Sequence, residues 1–567
     1  MIRAIGLLIE IVLLSVLILA TRCANYQDVF VAGNVYFSDA DCYARMTRVR
    51  MCEKKPGLIV RHHDFENFPQ GTTPHTTAPF DYLILALAVV LKPFSAHAID
   101  LAGALISPLL ALFGGWFLWW WSRRMKFRYR WAALILYAIS PVLVKGTELG
   151  RPDHQSVLIL LVTVAICAEW TLQFERSTKW GIASGIAWSF ALWVSLYEPL
   201  ILVFLVVFLG AVQDRQLLFS KQRRAGWILF AVIVALAFAI ERRIPSLSIF
   251  YSGELFENWA RTIGELAHVW PANPIWLRWG GYLLLVTPLL IWFGLRKREV
   301  GAPGGRTAPI FVLALLVTTY LLTIWQARWA YFFFLIFAIA LPALLEPIKS
   351  RAAVWIAFTL SIFPILRDWD TRLWPDEAEY TQRIEQRNES VQSRDLAIDL
   401  QSSETRPFLA PWWLSPAIAY WSGQPGVAGS SHESLSGIAD SVRFFLAEDW
   451  RTAREILEHH RVAWVIVYDS ERVAQNSSAI LGLAVPRHAV CFVLDRTPAQ
   501  APWFLVFSAQ NGAGKLYRTV ERQKSASCCE NPLTVSVSVT IITNAEKIHS
   551  AKTDAAGRSR IAKLGRG

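Results

Sequence analysis

The chain has 567 residues, 54% of them hydrophobic, and uses Trp 26 times. A mean hydropathy of +0.35 over that length excludes an ordinary soluble globular protein and points to a polytopic membrane protein. The net charge of +12 comes from basic clusters between apolar runs, so it reports orientation across a bilayer, and nucleic-acid binding is not needed to explain it.

A spanning helix needs about 20 mostly apolar residues. The first candidate is 5–20. Arg3 gives it a signal-like start, but Glu10 and the lack of a small-x-small cleavage site mark an uncleaved anchor. Further candidates lie near 97–121, 131–146, 155–173, 180–197, 199–213, 225–241, 279–295, 308–325, 329–346 and 353–366, about eleven in all. The stretch 180–213 is divided only by Glu198-Pro199. The run 80–90 is short and reads as an interfacial helix on the outer leaflet. Counting it as a span would put Arg123, Arg124, Lys126, Arg128 and Arg130 outside. Without it, that cluster falls inside, as do Arg215, Lys221, Arg223 and Arg224, and then Arg296, Lys297, Arg298 and Arg306. The expected topology is a multi-pass protein of the bacterial inner membrane with a cytoplasmic N-terminus. Its outer loops are 21–96, 147–154 and 242–278, and everything after Leu366 is periplasmic.

From Arg367 the composition turns polar. A plausible amphipathic helix over 450–460 precedes the short apolar run Ala463-Trp464-Val465-Ile466-Val467-Tyr468, which reads as a buried strand. We therefore expect a membrane domain over 1–366, an α/β domain over 367–520 and a tail over 521–567. In the tail, Leu533, Val535, Val537, Val539 and Ile541 alternate as in a strand. Seven cysteines include no C-x-x-C pair, so neither a zinc site nor a disulfide framework is evident. Cys42 and Cys52 either pair in an oxidising periplasm or remain thiols. No internal repeat is visible, which counts against repeat-built transporter folds.

Acidic motifs sit just outside the spans. Asp39 and Asp41, in Ser38-Asp39-Ala40-Asp41-Cys42-Tyr43-Ala44-Arg45, offer hard oxygens suited to Mg2+ or Mn2+. Alone, two acids in a solvated loop explain them as well. Asp153, in Gly150-Arg151-Pro152-Asp153-His154-Gln155, stands at a span start, where an acid favours the helix dipole. That reading does not account for the grouping of Arg151, Asp153, His154 and Gln155. Thr262-Ile263-Gly264-Glu265 lies among Trp259, Trp270, Trp276 and Trp279, a pattern shared with aromatic membrane belts. Arg328 sits in an outer turn, where a snorkelling arginine is disfavoured by orientation and a lipid phosphate would find a cation.

In this order and on one face, these pieces resemble the GT-C glycosyltransferases, and among them the catalytic subunits of bacterial and archaeal oligosaccharyltransferases, over nearly all of 1–470. The resemblance implies a mainly α polytopic fold with a C-terminal periplasmic α/β domain. It implies that Asp39, Asp153 and Glu265 hold Mg2+ or Mn2+. Asp39 would also orient or deprotonate the acceptor, and Arg328, with Arg151 and His154 nearby, would bind the donor phosphate. Asp41, Arg45, Gln155, Thr262, Trp412 and Trp413 are further candidates. The implied reaction is inverting transfer of a sugar or oligosaccharide from a polyprenyl phosphate or diphosphate to a periplasmic protein or glycan. Two departures matter. Gln155 stands where the family usually has a second acid, and Leu409-Ala410-Pro411-Trp412-Trp413-Leu414-Ser415 lacks the Asp of the family's Trp-Trp-Asp motif. A single-sugar transferase acting on lipid A or another envelope glycan is thus an alternative, and a lipid-linked sugar flippase is the rival of another class. Gly429 and His432 read as loop residues, with the acceptor cleft as the other possibility.

Overall fold

Five helices are long and apolar enough to cross a membrane: Ala4–Arg22, Ala98–Arg124, His154–Glu175, Lys221–Glu241 and Ala327–Leu345. They belong to a computed structural model that describes residues 2–245, 251–298 and 308–520. A pair bent by 45°, Arg351–Ser361 and Phe363–Leu373, counts as a sixth if read as one span, and Ala78–Leu91, Arg130–Ile139, Tyr197–Gln213, Leu283–Phe293 and Ile310–Trp325 are shorter apolar helices. Several of the apolar runs expected to span are short or broken. Burial sorts the long helices. Only 11% of Ala4–Arg22 and 17% of Lys221–Glu241 is buried, against 94% of Ala327–Leu345. The first two turn apolar faces outward, and the last, apolar all round, forms the centre.

The break in the run expected over 131–146 shows how local chemistry builds the site. Ser140-Pro141 separates Arg130–Ile139 from Pro141–Lys145. The proline lacks an N–H and crowds the carbonyl four residues back, that of Tyr137. The fully buried Arg22 takes over. Its guanidinium donates to Tyr137 O at 2.8 Å and to Ala138 O, and its Nε donates to Thr147 Oγ1 at 3.2 Å. The Trp369 indole donates to Ile139 O at 2.7 Å. The chain is thereby turned into the segment 147–154.

That segment is locked to the first motif at Gly150. Its N–H donates to Ala104 O at 3.0 Å and its carbonyl accepts from Ser38 N at 2.9 Å. Gly150 has φ +73°, and a Cβ there would lie 2.6 Å from a Val29 methyl and 3.1 Å from Tyr36 O. Glycine meets both demands, and Asp39 is consequently held next to 151–154.

Residues 377–520 contain the long helix Glu377–Asp399 and a four-stranded sheet flanked by helices. Phe408–Leu409 pairs in parallel with Trp464–Val467, which pairs antiparallel with Gly514–Thr519, and Leu505–Asn511 is the far edge. The expected strand at 463–468 and the helix before it, Trp450–His459, are both present. Cys42 and Cys52 are buried free thiols. Arg306, the alternation at 533–541 and Cys528-Cys529 lie outside the described residues.

Candidate functional site

Asp39 is the residue before helix Ala40–Lys54, and its Oδ1 accepts from Cys42 N at 3.0 Å. This caps the helix and leaves Oδ2 to meet Arg151 Nη1 at 3.0 Å. Asp153 precedes helix His154–Glu175, but its side chain makes no cap. Its Oδ1 instead takes His154 Nδ1 at 2.6 Å, and its Oδ2 lies 3.9 Å from Arg151. Glu265 reaches Arg151 Nη2 at 3.0 Å and accepts from Tyr331 OH at 3.0 Å. The short turn that carries Glu265 is clamped by Ala327 N donating to Ala267 O at 2.9 Å and Val269 N to Ile324 O at 3.1 Å. Three carboxylates from three segments thus surround one guanidinium.

Burial disfavours charge on Arg151, yet Asp39, Tyr331, Glu265 and Asp153 outweigh it and hold its pKa well above the ordinary value. Burial also works to raise the Asp153 carboxyl. His154 and Arg151 overcome that and keep it well below the usual carboxylate range. Arg328 extends the network, with Nε 3.1 Å from Glu198 Oε1 and Nη2 3.9 Å from Glu265 Oε2.

Glu198 is the functional-site residue that sequence reasoning set aside as an isolated acid in an apolar stretch. It is buried, and Gln155 donates to its Oε1 at 3.3 Å while Ser195 donates to its Oε2 at 3.3 Å. A carboxylate from another helix thus lies beside Gln155. The signal was available: an acid followed by proline at the start of an apolar run, paired with a motif one acid short. Asp39, Asp153, Glu198 and Glu265 then outnumber Arg151 and Arg328 by four to two. By donor type, Asp39, Asp153 and Glu265 fit a hard divalent cation, and Arg151 spans the oxygens such an ion would use.

Asp41, Arg151, Asp153, His154, Glu265 and Arg328 line one cavity, together with His75 and His432. His75 and the neighbouring Glu433 were not foreseen. His75 Nδ1 lies 2.6 Å from Glu433 Oε1, and Ser431 Oγ donates to Glu433 Oε2. Burial pushes the His432 imidazole down to about 4. Behind them Glu66, pushed up to about 7 by burial, accepts from Ser430 N at 2.8 Å.

Other expected residues are engaged elsewhere. Arg45 is buried and paired with Asp81 at 2.8 Å, from where its charge also favours the ionised Asp153. Thr262 donates to Trp259 O at 2.7 Å and ends helix Glu254–Thr262. Trp412 is buried, donates to Asn476 at 2.7 Å and meets the Trp259 ring at 6.3 Å. It belongs to an apolar cluster with Trp259, Ile263, Leu266 and Trp413. The paired tryptophans therefore dock the Glu265 segment onto the C-terminal part.

No protein-family model and no curated protein sequence matches the chain. Solved structures do. The oligosaccharyltransferase AglB of Archaeoglobus fulgidus, in complex with an inhibitory peptide and a dolichol-phosphate, superposes with a TM-score of 0.62 at 14% identity, covering 92% of this chain and 74% of that one. ArnT of Cupriavidus metallidurans, bound to undecaprenyl phosphate, gives 0.54 at 12% identity, covering 91% of this chain and 98% of that one. The chain shares the fold of these two proteins. A third structure, the A. fulgidus oligosaccharyltransferase in complex with Zn and sulfate, gives 0.55 at 15% identity, covering 81% of this chain and 67% of that one.

Proposed function

We propose that the chain is a membrane glycosyltransferase. It moves a sugar or oligosaccharide from a polyprenyl phosphate or diphosphate to an acceptor at the periplasmic face of the bacterial inner membrane, with inversion. The observation that carries this reading is the meeting of Asp39, Asp153 and Glu265 at Arg151, with Arg328 beside Glu265 and all of these but Asp39 lining one cavity. The lipid phosphates named in the complexes of AglB and ArnT support a lipid-borne donor for this chain too.

The donor phosphate would lie against Arg328, with Arg151 and His154 beyond it. Asp39, Asp153 and Glu265 would hold Mg2+ or Mn2+, which when bound offsets the charge growing on the departing phosphate. The acceptor atom bonds to the anomeric carbon from the opposite side as the bond from that carbon to phosphate oxygen breaks. The phosphate leaves with the bonding pair. The acceptor proton passes to the Asp39 carboxylate.

One observation favours single-sugar or hydroxyl-acceptor transfer over transfer to asparagine. Trp412 is committed to packing and carries no neighbouring acid that would read a sequon hydroxyl. The test uses the full chain in liposomes with a labelled polyprenyl-linked sugar and Mn2+, with and without chelator. Labelled product on added glycan or peptide supports the reading. Movement of the labelled lipid between leaflets without transfer would replace it with the flippase.

A further inference from the structure

The wall of the cavity facing the Arg151 network is made of imidazoles. His75 comes from the segment before helix Ala78–Leu91, and His432 and Glu433 come from the turn before helix Leu435–Leu446. Their ligand-type atoms, one from each residue, all lie within 4.8 Å of one another. His75 Nδ1 is 2.6 Å from Glu433 Oε1, and His432 Nδ1 is 3.6 Å from Glu433 Oε2. Ligands at about 2.0 Å from a tetrahedral ion stand about 3.3 Å apart, so the three need only small side-chain adjustments to share one.

A second observation points the same way. His432 is 8% exposed, and its Nε2 is buried without a hydrogen-bond partner. An unpaired buried imidazole nitrogen costs free energy, and ligation through Nε2, with the ring turned from its present Nδ1 approach to Glu433, would relieve that cost. Glu433 is held firmly, by Ser431 Oγ and by the backbone N–H of His75 at 2.5 Å. The His432 ring is braced by Tyr251, edge-on at 4.8 Å between centroids.

We infer that His75, His432 and Glu433 form a three-ligand site for a borderline divalent cation of the Zn2+ class, with its open position toward the cavity. Two imidazoles and one carboxylate select such an ion over Mg2+, which prefers an all-oxygen octahedron. Three protein ligands with a free fourth place suit an ion that also takes up a group entering the cavity. The site is separate from Asp39, Asp153 and Glu265 and does not depend on the proposed reaction. It would pin the first long loop to the C-terminal part.

The other three-residue group, Asp440, His459 and His460, is a weaker candidate. Both nitrogens of His460 are already used, Nε2 by Asp440 at 2.9 Å and Nδ1 by Phe68 O at 2.5 Å. That makes it the natural control.

The full chain, purified in detergent and stripped of metal, is titrated with Zn2+ and separately with Co2+. The wild type should bind Zn2+ at this site without displacement by excess Mg2+, and Co2+ should give the strong visible bands of a four-coordinate ion. His75→Ala and His432→Gln should each weaken Zn2+ binding at least about 10–100-fold, the loss typical of mutating mere supporting partners of a ligand, and should abolish those bands. His459→Ala should leave both unchanged. Melting curves without metal show whether His432→Gln is folded, and Glu433→Gln provides an independent ligand deletion. Zn2+ binding and Co2+ bands that survive in folded His75→Ala or Glu433→Gln, or that disappear in His459→Ala, would overturn the site.

Discussion

Helix His154–Glu175 carries a buried ionic group near each end, and the two are built differently. Toward its C-terminal end Glu169 meets one guanidinium, with Arg223 Nη1 on Oε2 at 2.7 Å and Nη2 on Oε1 at 2.5 Å, while Ser184 also donates to it. One acid and one base, both buried, are matched in fork geometry, and they fasten helix Lys221–Glu241 to its neighbours. At the N-terminal end Asp153 shares Arg151 with Asp39 and Glu265, and Glu198 and Glu265 share Arg328. Acids exceed guanidiniums there. A matched pair has no charge left for a ligand. An unmatched cluster does, and only a site that must accept cations or rearrange around phosphate would retain it.

The sharpest way to break this contrast is to cut each end separately. Asp153→Ala leaves Arg151 paired with two other carboxylates, so the fold should hold while transfer falls about 10²–10³-fold. Glu169→Ala strands a buried arginine and should cost about 3–5 kcal/mol of stability. The folded fraction should keep wild-type turnover, because Glu169 is about 22 Å of helix from His154. Melting curves beside transfer rates give both answers. If Glu169→Ala were stable but inactive, the roles assigned to the two ends would be reversed.

The site end also depends on segments outside the helical bundle. Trp412 is buried against Trp259 and the turn that carries Glu265. Trp412→Ala should cost about 3–5 kcal/mol and open 254–266 to protease, while leaving the Glu169–Arg223 end intact. Equal proteolysis of variant and wild type at that segment would show that the tryptophans do not dock it.

How much of this the chain discloses by itself depends on how local the signal is. Asp39, Asp153, Glu265 and Arg328 stand in short motifs at the edges of apolar runs, so each can be singled out without the fold, while their ion pairs at and around Arg151 appear only in space. Glu198 could not be read so directly, because its role comes from Gln155 lying across from it on another helix. His75 and Glu433 are 358 positions apart, and no local pattern joins them. The helix Trp450–His459 and the strand Trp464–Val467 were readable, since period and burial mark both. The places where the apolar runs break were not. Ser140-Pro141 and Ile362 break runs that hydropathy treats as continuous, and Arg22 repairs a backbone gap that only the folded chain creates.

Arg328 tests whether the surplus of acids leaves geometry as well as charge to chance. Its guanidinium reaches Glu198 and Glu265 together. Arg328→Lys keeps the charge and loses the planar fork. We expect about a tenfold rise in KM for the lipid-linked donor, with the Tm within a few degrees of wild type. A fall confined to kcat would move Arg328 from donor binding to the reacting atoms.

The smallest effect sharpens the comparison through pH. Glu66 is a further buried acid at the site end, 4% exposed, held by Ser430 N and facing His63 at 3.8 Å. Burial lowers the His63 imidazole well below its ordinary value, so His63 offers Glu66 no charge. With a pKa raised from 4.5 to about 7, folded Glu66 holds its proton where the unfolded chain has lost it. Its contribution is complete below the unfolded value of 4.5 and is lost as pH rises through about 7. Glu66→Gln keeps the acceptor for Ser430 and has no proton to lose. Its stability should match wild type in acid and exceed it by of order 1 kcal/mol above neutral pH. The paired acid Glu169 should show no such gain on Glu169→Gln at any pH, because its charge is matched by Arg223. A Glu66→Gln variant that loses stability in alkali would mean that a cation reaches Glu66 and that the site end is better balanced than its ion pairs indicate.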